Sequence, residues 1–164
     1  MTWQGWTTGI SFGTGFAISG CAVTTISFAP STGGISRTGN GSASGTGTAI
    51  DNSAGSVAMT IDNLGTIVGA IKQGSGADVL NIGTGATVVG SIVGQVGAGG
   101  IVNLSPGAST SYSLAAGGIS NVATVNILNG TLVANSGSSV TGASLLSVAS
   151  GSTLVANTNI GANT

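Results

Sequence analysis

Apolar and polar positions along this chain recur in blocks, not at helical spacing. Four blocks share one pattern, at 79–90 (VLNIGTGATVVG), 101–109 (IVNLSPGAS), 124–135 (TVNILNGTLVAN) and 145–157 (LLSVASGSTLVAN), and a fifth copy precedes them at 59–69 (MTIDNLGTIVG). Aligned, Ile61, Ile82, Leu104, Ile127 and Val148 form one column at spacings of 21, 22, 23 and 21. Gly65, Gly85, Gly107, Gly130 and Gly151 form another, at 20, 22, 23 and 21. Side chains alternate faces along a strand, so Met59, Leu80, Val102, Val125 and Leu146, two positions before the first column, share its face. Between the two columns run Thr60, Asn81, Asn103, Asn126 and Ser147, which are polar in every copy and face the other way. A turn then leads to the glycine column, where a positive φ costs little only for Gly.

After each turn a second short strand opens on Thr66, Thr87, Ser109, Thr131 and Thr153. Two mostly apolar columns follow, Ile67/Val88/Thr110/Leu132/Leu154 and then Val68/Val89/Ser111/Val133/Val155. Neighbours on a strand cannot both point inward, so one of these columns is expected to face outward as an interaction stripe. A looser third strand is read at 70–71, 91–93, 113–114 and around Val140. Short strands, Gly turns and a period near 22 residues predict an all-β chain. The expected fold is a right-handed single-stranded parallel β-helix with rungs of about 21–23 residues, each stacked on the last at about 4.8 Å. Apolar residues at i, i+3, i+4 and i+7 with caps are missing throughout, so no helix is expected. The solenoid is placed at 48–164. Residues 1–47 are a non-repeating segment, rich in aromatics, whose Gly/Ser/Thr stretch 31–47 reads as a linker.

Composition sharpens this picture by exclusion. Of 164 residues, only Arg37, Lys72, Asp51, Asp62 and Asp78 carry charge, there is no His, and the one Cys is Cys21. A typical domain is about 25 % charged, against 3 % here. Histidine acid–base chemistry is therefore impossible, and phosphate or nucleic-acid binding would rest on two cations. Disorder is also excluded as the general state, because disordered chains pair low hydropathy with high net charge, whereas mean hydropathy here is +0.53 and net charge −1. The most apolar stretch, 57–71, is interrupted by Asp62, Asn63 and two glycines and falls short of the roughly 20 apolar residues of a membrane helix. The opening residues lack the positive start of a signal peptide, so either a leader has been removed or the chain is a fragment.

The stretches 60–69 (TIDNLGTIVG) and 125–135 (VNILNGTLVAN) resemble the β-helical passenger regions of bacterial autotransporters and related filamentous adhesins. The resemblance covers about 48–157. It implies an extracellular, cell-surface protein of fibre or adhesion type, with the homopolymer itself as partner and other cells or surfaces as further partners.

Candidate chemistry is sparse. Asp62 and Asp78 are 16 residues apart, less than one rung, so stacking does not align them as a carboxylate pair. Asp62, before Asn63, is expected to cap a turn through its own backbone. The run 74–80 (GSGADVL) looks like a single calcium-binding nonapeptide without the successive copies that complete such a site, so it is read as a Gly turn before a strand. No catalytic residue, cofactor or metal is expected, and no nucleic acid or membrane span. Cys21 is read as a small buried apolar residue, with an intermolecular disulfide as the alternative, and the N-x-S/T triplets at Asn40, Asn103 and Asn129 as accidents of a Ser/Thr-rich chain. The threonine column could instead present an ice- or glycan-binding face, although ice-binding solenoids usually pair two Thr columns.

What remains is self-association. The last rung, 150–157, is as regular as the inner ones, and no charge follows Asp78. Nothing in that stretch repels a stacked copy, so head-to-tail assembly through Leu154 and Val155 is expected. Residues 3–28 hold both tryptophans and all three phenylalanines and alternate apolar and small residues. Such a segment reads as extended strand that must dock, either on the N-terminal end of its own solenoid as a cap or, the favoured option, on a neighbouring subunit as an added strand. The expected interface there comprises Trp3, Trp6, Ile10, Phe12, Phe16, Ile18, Cys21, Val23, Ile26 and Phe28.

Overall fold

A computed structural model describes residues 42–43, 47–158 and 160–162 of the chain. Among these residues there are seventeen β-strands, every strand pair is parallel, and no helix is present. The fold is a β-solenoid of about five turns. Numbered in chain order, the strands fall on three faces. The asparagine sheet holds β3 (Thr60–Asn63), β6 (Val79–Ile82), β9 (Ile101–Leu104), β12 (Thr124–Ile127) and β15 (Leu145–Val148). The closing sheet holds β2 (Thr48–Asp51), β5 (Ala70–Lys72), β8 (Ile92–Val93), β11 (Ile119–Ser120), β14 (Val140–Ala143) and β17 (Ile160–Ala162). The threonine face is split in two: β1 (Ser42–Ala43), β4 (Thr66–Val68) and β7 (Thr87–Val89) form one sheet, and β10 (Ser111–Ser113), β13 (Thr131–Ala134) and β16 (Thr153–Ala156) the other. Every full turn visits the asparagine, threonine and closing sheets in that order. Strand β1 lies inside the stretch 31–47 read as a linker and pairs with β4, Ser42 beside Thr66.

The core is a set of vertical apolar stacks. Ile61, Leu80, Val102 and Val125 stand in one buried column of the asparagine sheet, with Ile82, Leu104 and Ile127 in the next inward position. Ile67 and Val88 line the threonine side, and Ile71, Ile92, Ile119 and Val140 the closing side. Fully burying each such side chain contributes roughly 1.5–3 kcal/mol, and the β-branched majority fits a pleated strand. The exposed polar position alternates with these, as expected of a half-buried strand.

Three registers differ from the sequence alignment. In the first turn Ile61 pairs with Leu80, not Ile82, and Asn63 occupies the inward position beside Ile82. The slip has a local cause. Only Leu64 and Gly65 join β3 to β4, against four residues, 83–86, one turn later. Asn63 makes the shorter corner possible. Its Oδ1 accepts the Gly65 N–H at 3.1 Å, and its Nδ2 donates to the Thr87 carbonyl at 3.0 Å. Gly65 accordingly has no positive φ, whereas Gly85, Gly107, Gly130 and Gly151 all do, at 72°, 113°, 91° and 80°. Asn63, not Asp62, is therefore the side chain that caps this turn.

In the third turn the connection from β9 to β10 runs through six residues, 105–110, with Pro106 in it and Ser109 at φ 70°. The extra length moves the next strand by two positions. Ser111, Tyr112 and Ser113 pair with Thr131, Leu132 and Val133, so Tyr112, not Thr110, fills the inward column. The third strand of that turn is then Ile119–Ser120, and Ser113–Leu114 is not part of the closing sheet.

Candidate functional site

The outward column of the asparagine sheet is Asp62, Asn81, Asn103, Asn126 and Ser147. The first four are wired together. Asn81 Nδ2 donates to Asp62 Oδ1 at 2.6 Å, Asn103 Nδ2 to Asn81 Oδ1 at 2.8 Å, and Asn126 Nδ2 to Asn103 Oδ1 at 2.8 Å. Asn81 and Asn103 each both give and accept, as an amide side chain can when the same residue recurs on stacked strands. Asp62 terminates this ladder as an acceptor. A second amide pair, Asn157 Nδ2 to Asn135 Oδ1 at 3.1 Å, sits on the turns that follow the threonine face.

Beside the ladder runs a shallow groove of about 340 Å³, lined by Asp62, Asn81, Asn103, Gly83, Ser105 and the exposed Leu64 and Leu128. Gly83 and Ser105 make the low floor between the two leucines. Leu64 leans over Gly83 so closely that a Cβ there would meet its Cδ2 at 2.5 Å.

Asp78 belongs to neither surface. It lies at the corner before β6, fully buried, where Oδ1 accepts the Met59 N–H at 2.7 Å. Its Oδ2 accepts the Gly74 N–H at 2.7 Å and Asn52 Nδ2 at 2.9 Å. Three donors thus occupy a carboxylate that points inward. Among the described residues no group of three Cys, Asp or Glu side chains could hold a metal ion. Asp51 is outward, where the hydroxyl and N–H of Ser53, and more weakly Lys72 at 3.4 Å, hold its carboxyl below the ordinary value.

The threonine face carries the stripe expected of it. Ile67, Val88 and Leu132 are buried, whereas Val68, Val89, Val133 and Val155 point outward, with Val89 54 % exposed. Thr87 Oγ1 donates to Thr66 Oγ1 at 3.0 Å one column away. The stripe is interrupted at Ser113, where β7 and β10 fail to pair. Tyr112 closes the break from inside. Its ring is buried, and a hydrogen bond from the Val88 backbone reaches its phenol oxygen. Burial outweighs that bond and pushes the phenol up to about 12.

At the last described turn the core comes to the surface. Val148 is 43 % exposed, while Leu146, Leu154 and Ile160 are only half covered. Their counterparts one turn earlier, Val125, Ile127 and Leu132, are completely buried. Of the expected interface residues, Leu154 packs against the core from this end and Val155 faces outward. The others, from Trp3 to Phe28, lie outside the described residues. Sequence reasoning missed Val148, although its place in the last copy of the repeat was the available signal. No protein-family description, curated protein or solved structure matches this chain. No helix of the described residues is long and apolar enough to cross a membrane.

Proposed function

We propose that the chain is a structural subunit of an extracellular fibre or surface adhesin, assembled by head-to-tail stacking of β-solenoids with an N-terminal strand at the junction. The observation that carries this reading is the last described turn, an unpaired strand edge with apolar core residues on view. A second copy of the same cross-section covers that surface with matching stacks. No charge lies between Asp78 and this edge to oppose it. The extracellular setting rests on the resemblance of 60–69 and 125–135 to passenger and adhesin repeats.

The test is electron microscopy at rising protein concentration, for the wild type and for Val155→Lys combined with Asn157→Lys. Filaments that are lost or shortened in the double variant support stacking through this edge. Filaments formed equally well by both remove the edge from the contact, and a wild type that stays as short rods removes the reading.

One observation favours a second reading, a glycan-binding surface: the groove beside the ladder pairs amide donors and acceptors with two leucines. Ice binding has less support, because the break between β7 and β10 interrupts the regular threonine rows. Short rods that retard on a polysaccharide column would select the glycan reading.

A further inference from the structure

Leu128, Asn129 and Gly130 make the corner between β12 and β13, and its geometry is tight. Gly130 stands at φ 91°, and a Cβ there would collide with the Gly107 carbonyl oxygen and lie 2.7 Å from that of Thr110. Conformation and space together demand glycine at this position. The corner is also pinned to the turns on either side. Leu128 N–H donates to the Leu104 carbonyl at 2.8 Å and Thr131 N–H to the Thr110 carbonyl at 2.9 Å. The Gly130 carbonyl in turn accepts the Thr153 N–H of the last described turn at 2.9 Å. Asn129 lies between these pins and is exposed.

Two groups at this corner are left over. Among the described residues nothing bonds the Asn129 carboxamide, and nothing accepts the Gly130 N–H. They belong to adjacent residues, close enough for the carboxamide carbon and the backbone nitrogen to join in a five-membered ring. Asn is thermolabile for this reason, and a following Gly has no side chain to shield the nitrogen. The other asparagines of the described residues lack the combination. Those of the ladder, together with Asn52, Asn63, Asn135 and Asn157, have their carboxamides in hydrogen bonds. Asn121 precedes Val122, whose branched side chain crowds the nitrogen that would have to react.

We propose that Asn129 is a site of spontaneous deamidation in the folded protein, a modification that adds a carboxylate to this corner and loosens its hold on the last described turn. Water is the one co-reactant. The Gly130 nitrogen gives its proton to solvent base and attacks Asn129 Cγ. The new C–N bond forms as the Cγ–Nδ2 bond breaks, and that nitrogen leaves as ammonia. Water then opens the cyclic imide. Addition at Cγ restores the ordinary main chain and gives an aspartate. Addition at the α-carbonyl carbon leaves the main chain running through Cβ and Cγ, one methylene longer, as isoaspartate. That methylene falls between the Leu128 and Thr131 pins and displaces the Gly130 carbonyl from Thr153. The glycine that packing demands is thus also what leaves the nitrogen open to reaction. Net charge is −1, so one added carboxylate doubles it. None of this depends on fibre formation.

Ageing the full chain tests both halves. A second Asn-Gly pair, Asn40 and Gly41, lies outside the described residues, so every arm carries Asn40→Gln. The protein is held in mildly alkaline buffer, well short of the Tyr112 ionisation at about 12, and read by isoelectric focusing and by enzymatic methylation of isoaspartate. The background protein is expected to gain an acidic band and isoaspartate together. Two variants are expected to show an order of magnitude less of both: Asn129→Gln, which must close a larger and slower ring, and Asn129→Ser, which has no carboxamide. Isoaspartate formed as fast in both variants places the reaction elsewhere and overturns the site, as does a background protein that gains none. The second half is read by thermal melting beside freshly prepared Asn129→Asp, which carries the charge on an ordinary main chain. The aged, isoaspartate-rich fraction is expected to melt at a lower temperature than Asn129→Asp. Equal melting temperatures overturn the loosening of the last described turn and leave the modification site standing.

Discussion

The carboxylate of Asp78 accepts the backbone N–H of Met59 at 2.7 Å, nineteen residues earlier in the chain. The bond ties the corner before β6 to the corner before β3, one turn below. With Asn52 and Gly74 on the other oxygen, it replaces at this corner the strand-to-strand bonding that holds the rest of the solenoid.

Asp78→Ala would leave those three donors buried without an acceptor, each costing about 1–3 kcal/mol. The expected loss of unfolding free energy is at least about 3 kcal/mol, placing it among the most damaging single substitutions. Asp78→Asn keeps one acceptor oxygen and should fall between it and the wild type. Urea unfolding of the three proteins checks this, and equal midpoints would refute a structural role for the cluster.

Tyr112 gives the protein a stability that depends on alkaline pH. The folded value of about 12 stands above the ordinary 10, so the unfolded chain ionises first. Its contribution is intact below pH 10 and is lost as pH rises to about 12, amounting to roughly 2–3 kcal/mol across that window. This is the only Tyr in the chain, so tyrosinate absorbance reports it directly. Tyr112→Phe should abolish the slope between pH 10 and 12, at a cost near neutrality of about 1 kcal/mol for the lost Val88 bond.

The amide ladder predicts an order of damage. Asn103 both donates to Asn81 and accepts from Asn126, so Asn103→Ala removes two bonds and should cost about 1–3 kcal/mol. Asn103→Asp can accept but not donate, and should be as harmful. At Asp62, whose part in the ladder is to accept from Asn81, replacement by Asn keeps an acceptor and should cost under about 1 kcal/mol. Thermal melts of the three variants decide the order.

Lateral and axial contacts should separate by mutation. Val89→Lys with Val133→Lys charges the outward stripe without touching the open strand edge. Filaments should still form but fail to bundle in micrographs. Loss of single filaments as well would place the stripe in the axial contact.

Much of the fold is legible in the amino-acid sequence because a solenoid repeats one local solution. Period-two alternation with β-branched residues specified the strands, and glycines at positive φ the turns at Gly85, Gly107, Gly130 and Gly151. Nearest-neighbour stacking does the rest, so the columns through the fourth and fifth turns coincide with the alignment. The outward valine stripe followed from alternation alone. The ladder's column was likewise visible as a polar position in every copy, though its hydrogen bonding was not.

Tertiary structure decided what one turn does to the next. Two residues can be lost at Leu64–Gly65, or gained around Pro106, only if a side chain such as Asn63 or Tyr112 supplies the missing backbone partner one turn away. Alignment by best match hides such slips, because shifting a strand by two positions restores the same alternation of faces. The burial of Asp78 and the exposure of Val148 are likewise properties of position along the stack. The same apolar residue is core when a strand lies above it and surface when none does, and that difference is not written in the residue itself.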